Sequence, residues 1–164
     1  MMTLLALAGL ALAFNQAPTD DCPMRPPALD VKNIQSHSDV KSFVVDSSNR
    51  GATILLKDGS VLRILNMGCQ HSGASAQLWI PKNAPATSDI KAWTVKAKWV
   101  ADIGFAPTES KPFDAWLSTA KLSPHSDDTL TGDGTGLGDL SYSVAVNAYG
   151  GTTGTFLEVT YAYP

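Results

Sequence analysis

The chain has 164 residues, is 44% hydrophobic and 16% charged, and carries a formal charge of −3. This composition excludes a disordered chain, a collagen-like repeat and a coiled coil, and the length is that of one domain with its own core. The acidic balance disfavours nucleic acid as a partner, because general nucleic-acid binders carry a basic excess.

The first residues predict export. An unbroken apolar run from Leu4 to Phe14 contains the small-x-small pattern Ala11 to Ala13, which is typical of a signal-peptidase site. The run is too short to span a bilayer, which needs about 20 apolar residues, and no later stretch is long enough. It lacks the usual preceding Lys or Arg, so a buried N-terminal helix is the alternative. We expect a signal peptide at 1–13, a secreted or periplasmic product without a membrane span, and a Pro-rich extended arm at 14–38.

The sequence has two cysteines, Cys22 and Cys69, and in an oxidising compartment an even pair most often forms one disulfide. Such a bridge would pin the arm to the domain. The alternative makes Cys69 a nucleophile with His71 as its base, because residues two apart in a strand point the same way.

From residue 39 onward the pattern predicts one domain, 39–164, that begins and ends in strands. Asp58-Gly59 is a strong hairpin signal between two β-rich segments. Strands are predicted at residues 40–46, 52–57, 60–66, 76–80, 140–148 and 155–163. The first three form a meander, and the last two form a hairpin.

Residues 89–105 fit two structures. Alternating apolar residues favour a strand, whereas the length, a cap at Ser88, the acidic Asp89 and a terminal Gly104 favour a helix. We expect the helix, with one apolar stripe around Trp93 and a second that includes Val95, Trp99 and Ile103, so that it would be buried on two sides.

A second helix is predicted with Pro112 in its first turn and Lys121 in its last. The expected fold class is therefore α+β: an antiparallel sheet, made of the N-terminal meander and the C-terminal hairpin, with two central helices packed on one face. If residues 89–105 form a strand, the chain is mostly β with one helix.

The Gly-rich stretch from Ser123 to Asp139 predicts a polar surface loop, and it lacks the Gly-Lys-Ser/Thr ending of a nucleotide-binding loop. Its carboxylates could bind calcium, which prefers oxygen ligands, although they lack the spacing and closing Glu of a twelve-residue calcium loop. The four candidates are Asp127, Asp128, Asp133 and Asp139. No cofactor is expected, and calcium is the alternative.

Known catalytic and metal motifs are missing from the sequence. The three histidines, His37, His71 and His125, do not have the spacing of a metal motif, and there is no Gly-x-Ser-x-Gly elbow. No catalytic residue is therefore identified.

These features predict a small exported, disulfide-bonded binding or inhibitory domain that acts through a protein partner without catalysis. The expected contact surface combines the loop from Ser123 to Asp139 with a rigid turn from Gly68 to Gly73. The candidate contact residues are Gln70, His71 and Ser72 in that turn and Trp99, whose ring would anchor a partner if exposed. The alternative is a metal-dependent or hydrolytic enzyme centred on His71.

Overall fold

One antiparallel sheet organises the part of the chain that the computed structural model describes, which is residues 25–68, 72–136, 139–148 and 154–163. The eight strands of these ranges are β1 Val40–Val45, β2 Gly51–Leu56, β3 Val61–Met67, β4 Gly73–Ile80, β5 Ser123–Ser126, β6 Thr129–Thr135, β7 Ser141–Ala148 and β8 Thr155–Ala162. They lie in the order β1-β2-β3-β4-β8-β7-β6-β5. Two meanders are therefore joined where β4 pairs with β8, from Gly73↔Ala162 to Ile80↔Thr155.

Apolar residues alternate along the strands, so one face of the sheet is buried and the other is open. The buried face carries Ile54, Leu62, Ile64, Ala76, Leu78, Leu130, Val144, Val146, Leu157 and Val159. Strand pairing keeps these side chains in register, because Ala76 lies opposite Ile64 on one side and Val159 on the other. The core therefore lies on this face.

Three helices accompany the sheet in the described ranges: α1 Val31–Ser36, α2 Ile90–Gly104 and α3 Pro107–Leu117. α2 packs so closely on the sheet that a Cβ added at Gly104 would lie 2.9 Å from the Cβ of Ala76. From α3, the rings of Phe113 and Trp116 pack against Tyr142, with centroids 5.8 and 5.3 Å away. Both central helices therefore cover the same face of the sheet. None of the helices described is long and apolar enough to cross a membrane.

The antiparallel sheet with helices on one face is confirmed, and the protein is mostly β with helices. The predicted C-terminal hairpin is half of a second meander. The stretch predicted as a loop, 123–139, instead contains β5 and β6, and β6 pairs with β7 from Thr129↔Asn147 to Thr135↔Ser141. The pairing with β7 satisfies the backbone N–H and C=O groups of β6, so this Gly-rich segment forms a strand despite its low intrinsic β-propensity.

The helix over 89–105 is confirmed, with two corrections. Its N-cap is Asp89 rather than Ser88, because the Asp89 carboxylate accepts a hydrogen bond from the Ala92 N–H at 3.0 Å. Its second apolar stripe is not buried along its length: Ile103 is buried, but Val95 is 62% exposed.

α3 begins earlier than predicted. Pro107 occupies its first turn, Pro112 lies inside it, and it ends at Leu117 rather than at Lys121. Pro107 supplies the fixed φ that suits a first turn, which places Pro112 in the second.

α1 interrupts the arm that was predicted to be extended. Asp30 caps it by accepting a hydrogen bond from the Asn33 N–H at 2.9 Å, and Ile34 is buried. The Asn33 side-chain amide donates to the carbonyl of Asp102 at 2.7 Å, at the C-terminal end of α2. Burial of Ile34 and capping of α2 explain why a six-residue helix forms here.

Candidate functional site

The predicted disulfide and part of the predicted contact turn lie outside the described residues. Cys22, Cys69, Gln70 and His71 belong to that group, so the bridge and an enzyme centred on His71 stay predictions. The described neighbours of the two cysteines lie close together. The Ser72 hydroxyl donates to the carbonyl of Arg25 at 3.0 Å, three residues from each cysteine.

The structure does not bring the four candidate calcium ligands together. Asp127 and Asp128 lie in the turn before β6, Asp133 lies within that strand and Asp139 lies beyond its far end. From Thr129 to Asp133 the strand alone spans about 13 Å. No group of three or more His, Cys, Asp or Glu side chains suitable for a metal occurs among the described residues.

The two described histidines lie apart. His37 is three residues before β1, with its Nε2 3.7 Å from Oδ2 of Asp102. His125 lies on β5, at the opposite edge of the sheet, and is exposed. Histidines at opposite edges of an eight-stranded sheet cannot share one metal ion.

The outer surface of α2, which faces away from the sheet, forms a largely apolar groove. The groove has a volume of about 590 Å³. It is lined by Pro85, Asp89, Lys91, Ala92, Val95, Lys96 and Trp99. Val95 stands in it 62% exposed, and Ile90 in the first turn of the helix is 38% exposed. Exposed apolar side chains that share a groove are typical of a contact surface.

Trp99, predicted as a contact anchor, is half-buried at one end of this groove. Its indole Nε1–H donates to Oδ2 of Asp39 at 3.1 Å, which fixes the ring orientation. The ammonium of Lys96 lies 5.1 Å from the ring centroid, a distance typical of a cation–π contact. The ring is therefore held in place before any partner arrives, which lowers the conformational entropy lost on binding.

The groove carries charges of both signs, with the ammonium groups of Lys91 and Lys96 along the helix and the carboxylates of Asp89 and Asp39 at its two ends. Lys91 and Lys96 make no ion pair with the described residues. The Asp89 carboxylate is already used as the N-cap of α2. The groove thus has an apolar floor and two ammonium groups without carboxylate partners among the described residues.

The sequence suggested Trp99 as a contact candidate but predicted its stripe to be buried, and it did not single out Lys91 and Lys96. The spacing of Lys91 and Lys96 could have indicated them, because both lie on the same outer side of the helix as Val95. A helix buried on two sides, as predicted, would not have left Lys91 and Lys96 beside an exposed apolar surface.

Two further polar atoms are buried, one on α3 and one on β7. Oδ1 of Asp114 and the hydroxyl of Tyr142 are buried, without a hydrogen-bond partner among the described residues. Burial raises the pKa of Asp114, and the charge of Asp102 adds to the effect while Lys98 opposes it. Burial likewise raises the pKa of Tyr142 and Tyr161. Both tyrosines therefore stay neutral near pH 7 and serve as packing groups between the helices and the sheet.

Comparison of the chain with family models, curated proteins and solved structures found no match. The α2 surface therefore has to be interpreted from its own geometry and charge.

Proposed function

We propose that the protein is a small exported binding domain that holds an acidic, amphipathic segment of a partner protein in the groove along α2, and that it acts by binding rather than by catalysis. The observation that carries the proposal is Val95, an aliphatic side chain 62% exposed in an apolar groove beside the fixed ring of Trp99. An apolar floor favours a partner with apolar side chains on one face. Lys91 and Lys96 favour carboxylates beside that face, because complementary charges at the rim speed association and reject wrong partners.

A helix-in-groove contact fits these dimensions. α2 has 15 residues, so its outer side is about 22 Å long and offers anchors at successive turns. Full burial of a valine side chain contributes about 1.5 kcal/mol, and a tryptophan contributes more. Two such anchors contribute about 4–5 kcal/mol, so the rest of the binding free energy has to come from the flanking charges and from further apolar contacts along the groove.

Export and the disulfide belong to the same proposal. The contact between Ser72 and Arg25 supports a Cys22–Cys69 bridge, because it holds residues near both cysteines together. The Asn66 side chain adds a second tie, donating to the carbonyl of Pro27 at 2.8 Å. A bridge there would fix the arm at one end of the sheet.

The proposal can be tested with a designed probe. A fluorescein-labelled helical peptide of 15 residues, the length of α2, carries Leu on one face and Glu on the flanking positions, and a matched peptide carries Lys in place of each Glu. We expect the Glu peptide to bind with at least tenfold higher affinity by fluorescence anisotropy. Equal affinities, or no binding of either peptide at high micromolar protein, would contradict the proposal.

A pair of valine variants locates the contact. Val95→Glu should weaken binding of the Glu peptide at least tenfold, because it removes an apolar anchor and adds a like charge. Val44→Glu introduces the same change at a position 72% exposed on β1 and should leave binding unchanged. Equal effects of the two substitutions would exclude the α2 groove as the site.

A further inference from the structure

The face of the sheet opposite the helices carries its own pattern of side chains. Among the described residues, no helix or loop covers its centre, and β3, β4 and β8 present their outward residues in rows set by strand pairing. In the central row Arg63 lies opposite Gln77, and Gln77 lies opposite Glu158. A second row runs from Val61 through Trp79 to Phe156.

The central row has charges of opposite sign on either side of β4. Arg63 is exposed and makes no hydrogen bond or ion pair with the described residues. Glu158 is held on the other side, since its Oε1 accepts hydrogen bonds from Ser75 at 2.6 Å and from Gln77 at 3.0 Å. Arg63 and Glu158 are one strand away from β4 in opposite directions, about 10 Å apart across the sheet. Within one copy the two side chains do not meet, although Asp46 lines the same small surface pocket as Arg63.

The open face also carries exposed apolar side chains. Five large apolar residues of the described chain are exposed, and three of them, Val44, Leu65 and Phe156, are on this face. The other two, Ile90 and Val95, belong to α2. Of these three, Phe156 lies in the row with Val61 and Trp79, so this face offers apolar contact beside the charged row.

We propose that the open face binds the open face of a second copy of this chain, with the two-fold axis running parallel to β4 between the two sheets. A rotation about that axis places β3 of one copy over β8 of the other. Arg63 then faces the partner subunit's Glu158, and Glu158 faces the partner subunit's Arg63, so a single arrangement forms two ion pairs. Val61 faces the partner subunit's Phe156 in the same way. This self-complementarity is what a two-fold interface requires.

The dimensions set an upper bound on the contact. Eight strands at about 4.8 Å give a width near 38 Å, and strands of about seven residues give a length near 22 Å, so each copy can cover at most about 800 Å², and sheet twist concentrates the contact on the central strands. Sheets packed face to face lie about 10 Å apart with nearly aligned strands, which long Arg and Glu side chains can bridge. The axis parallel to β4 keeps the strands of the two copies aligned.

Charge reversal tests the arrangement, with sedimentation equilibrium as the readout. Arg63→Glu and Glu158→Arg should each raise the dimer dissociation constant at least tenfold, because each places like charges face to face in both pairs. An equimolar mixture of the two variants should form a heterodimer, since the introduced carboxylate of one copy then meets the introduced guanidinium of the other, and native residues meet in the second pair. The double variant should dimerise with itself, because both of its pairs again join opposite charges. Lys57→Glu, at the β2–β3 turn, is the matched control for net charge and should have no effect.

Crosslinking provides a second measurement that does not depend on altered charge. Gln77 lies on the proposed axis, so a Gln77→Cys variant should be joined to its own copy by a short bismaleimide, whereas the wild-type chain and Lys57→Cys should not. Circular dichroism and thermal unfolding establish that each variant is folded. A wild-type monomer at about 100 µM, an Arg63→Glu variant that dimerises like the wild type, or a mixture that stays monomeric would each overturn the proposal.

Discussion

The contact between α1 and the end of α2 allows a quantitative prediction. The Asn33 side-chain amide lies 2.7 Å from the carbonyl oxygen of Asp102 and 3.3 Å from those of Ile103 and Phe105. Carbonyls in the last turn of a helix have no partner inside it, so this amide satisfies groups that would otherwise depend on water. Asn33→Ala removes these bonds while leaving the backbone of α1 able to form.

The expected loss of stability follows from these bonds. A neutral hydrogen bond contributes about 0.5–1.5 kcal/mol net, and the two N–H groups of one amide can make two of them. The higher helix propensity of Ala offsets about 0.5 kcal/mol. We therefore expect Asn33→Ala to lower the free energy of unfolding by about 1–2 kcal/mol and Tm by about 3–6 °C.

Thermal unfolding followed by circular dichroism measures this change. Gln35→Ala is the matched control, because Gln35 is an exposed amide on the same helix without a described hydrogen bond. Its Tm should stay within about 1 °C of the wild-type value. If Asn33→Ala and Gln35→Ala had the same Tm, the amide would not stabilise α2, and the anchoring of α1 would have to come from buried Ile34 and from the contact of His37 with Asp102.

Three further predictions concern the sheet, the buried carboxyl and the arm. Gly73→Ala should destabilise the fold by more than about 3 kcal/mol, since its Cβ would clash with the carbonyl oxygen of Tyr161 across the β4–β8 pair; a urea midpoint within error of wild type would refute this. Burial raises the pKa of Asp114, so the folded state loses stability as pH rises above about 4 through that raised pKa. Asp114→Asn should therefore gain urea stability relative to wild type at pH 7 but not at about pH 4, and an equal difference at both would refute the assignment. The intact mass of the mature protein should lie about 2 Da below that of the reduced form if Cys22 and Cys69 are bridged, and two thiols that react with iodoacetamide without reductant would contradict the bridge.

The sequence was informative where local signals and burial agree. For α2, the acidic Asp89 near its start and the period of Trp93, Ala97 and Val100 point to a helix, and those three apolar side chains are buried, although the cap itself was placed one residue early, at Ser88. Its second stripe was misassigned because periodicity identifies apolar positions without showing what covers them. Val95 was expected in the core and is instead the most prominent feature of the candidate site.

The β5–β6 hairpin was missed because the glycines of β6 are required by tertiary contacts rather than by a turn. A Cβ at Gly132 would lie 2.5 Å from a methyl carbon of Leu122, and one at Gly134 would lie 2.9 Å from the indole nitrogen of Trp116. Glycine stands in β6 because these side chains from outside the strand approach its backbone. Local sequence reasoning interpreted the same glycines as a loop, since the approaching residues are far away in the chain.

The α2 groove and the proposed dimer face lie on opposite sides of the sheet. α2 covers one face of the sheet, and the open face lies on the other side, so occupation of one surface does not block the other. A dimer closed through Arg63 and Glu158 would leave both Val95 grooves on its outside, pointing away from the two-fold axis. A domain that binds weakly through one groove would then bind a partner with repeated acidic segments through two, and the second contact would form at a high effective concentration. If both proposals hold, the exposed valine of α2 and the charged row of the sheet act together, and dimerisation would raise the avidity of a groove that binds weakly on its own.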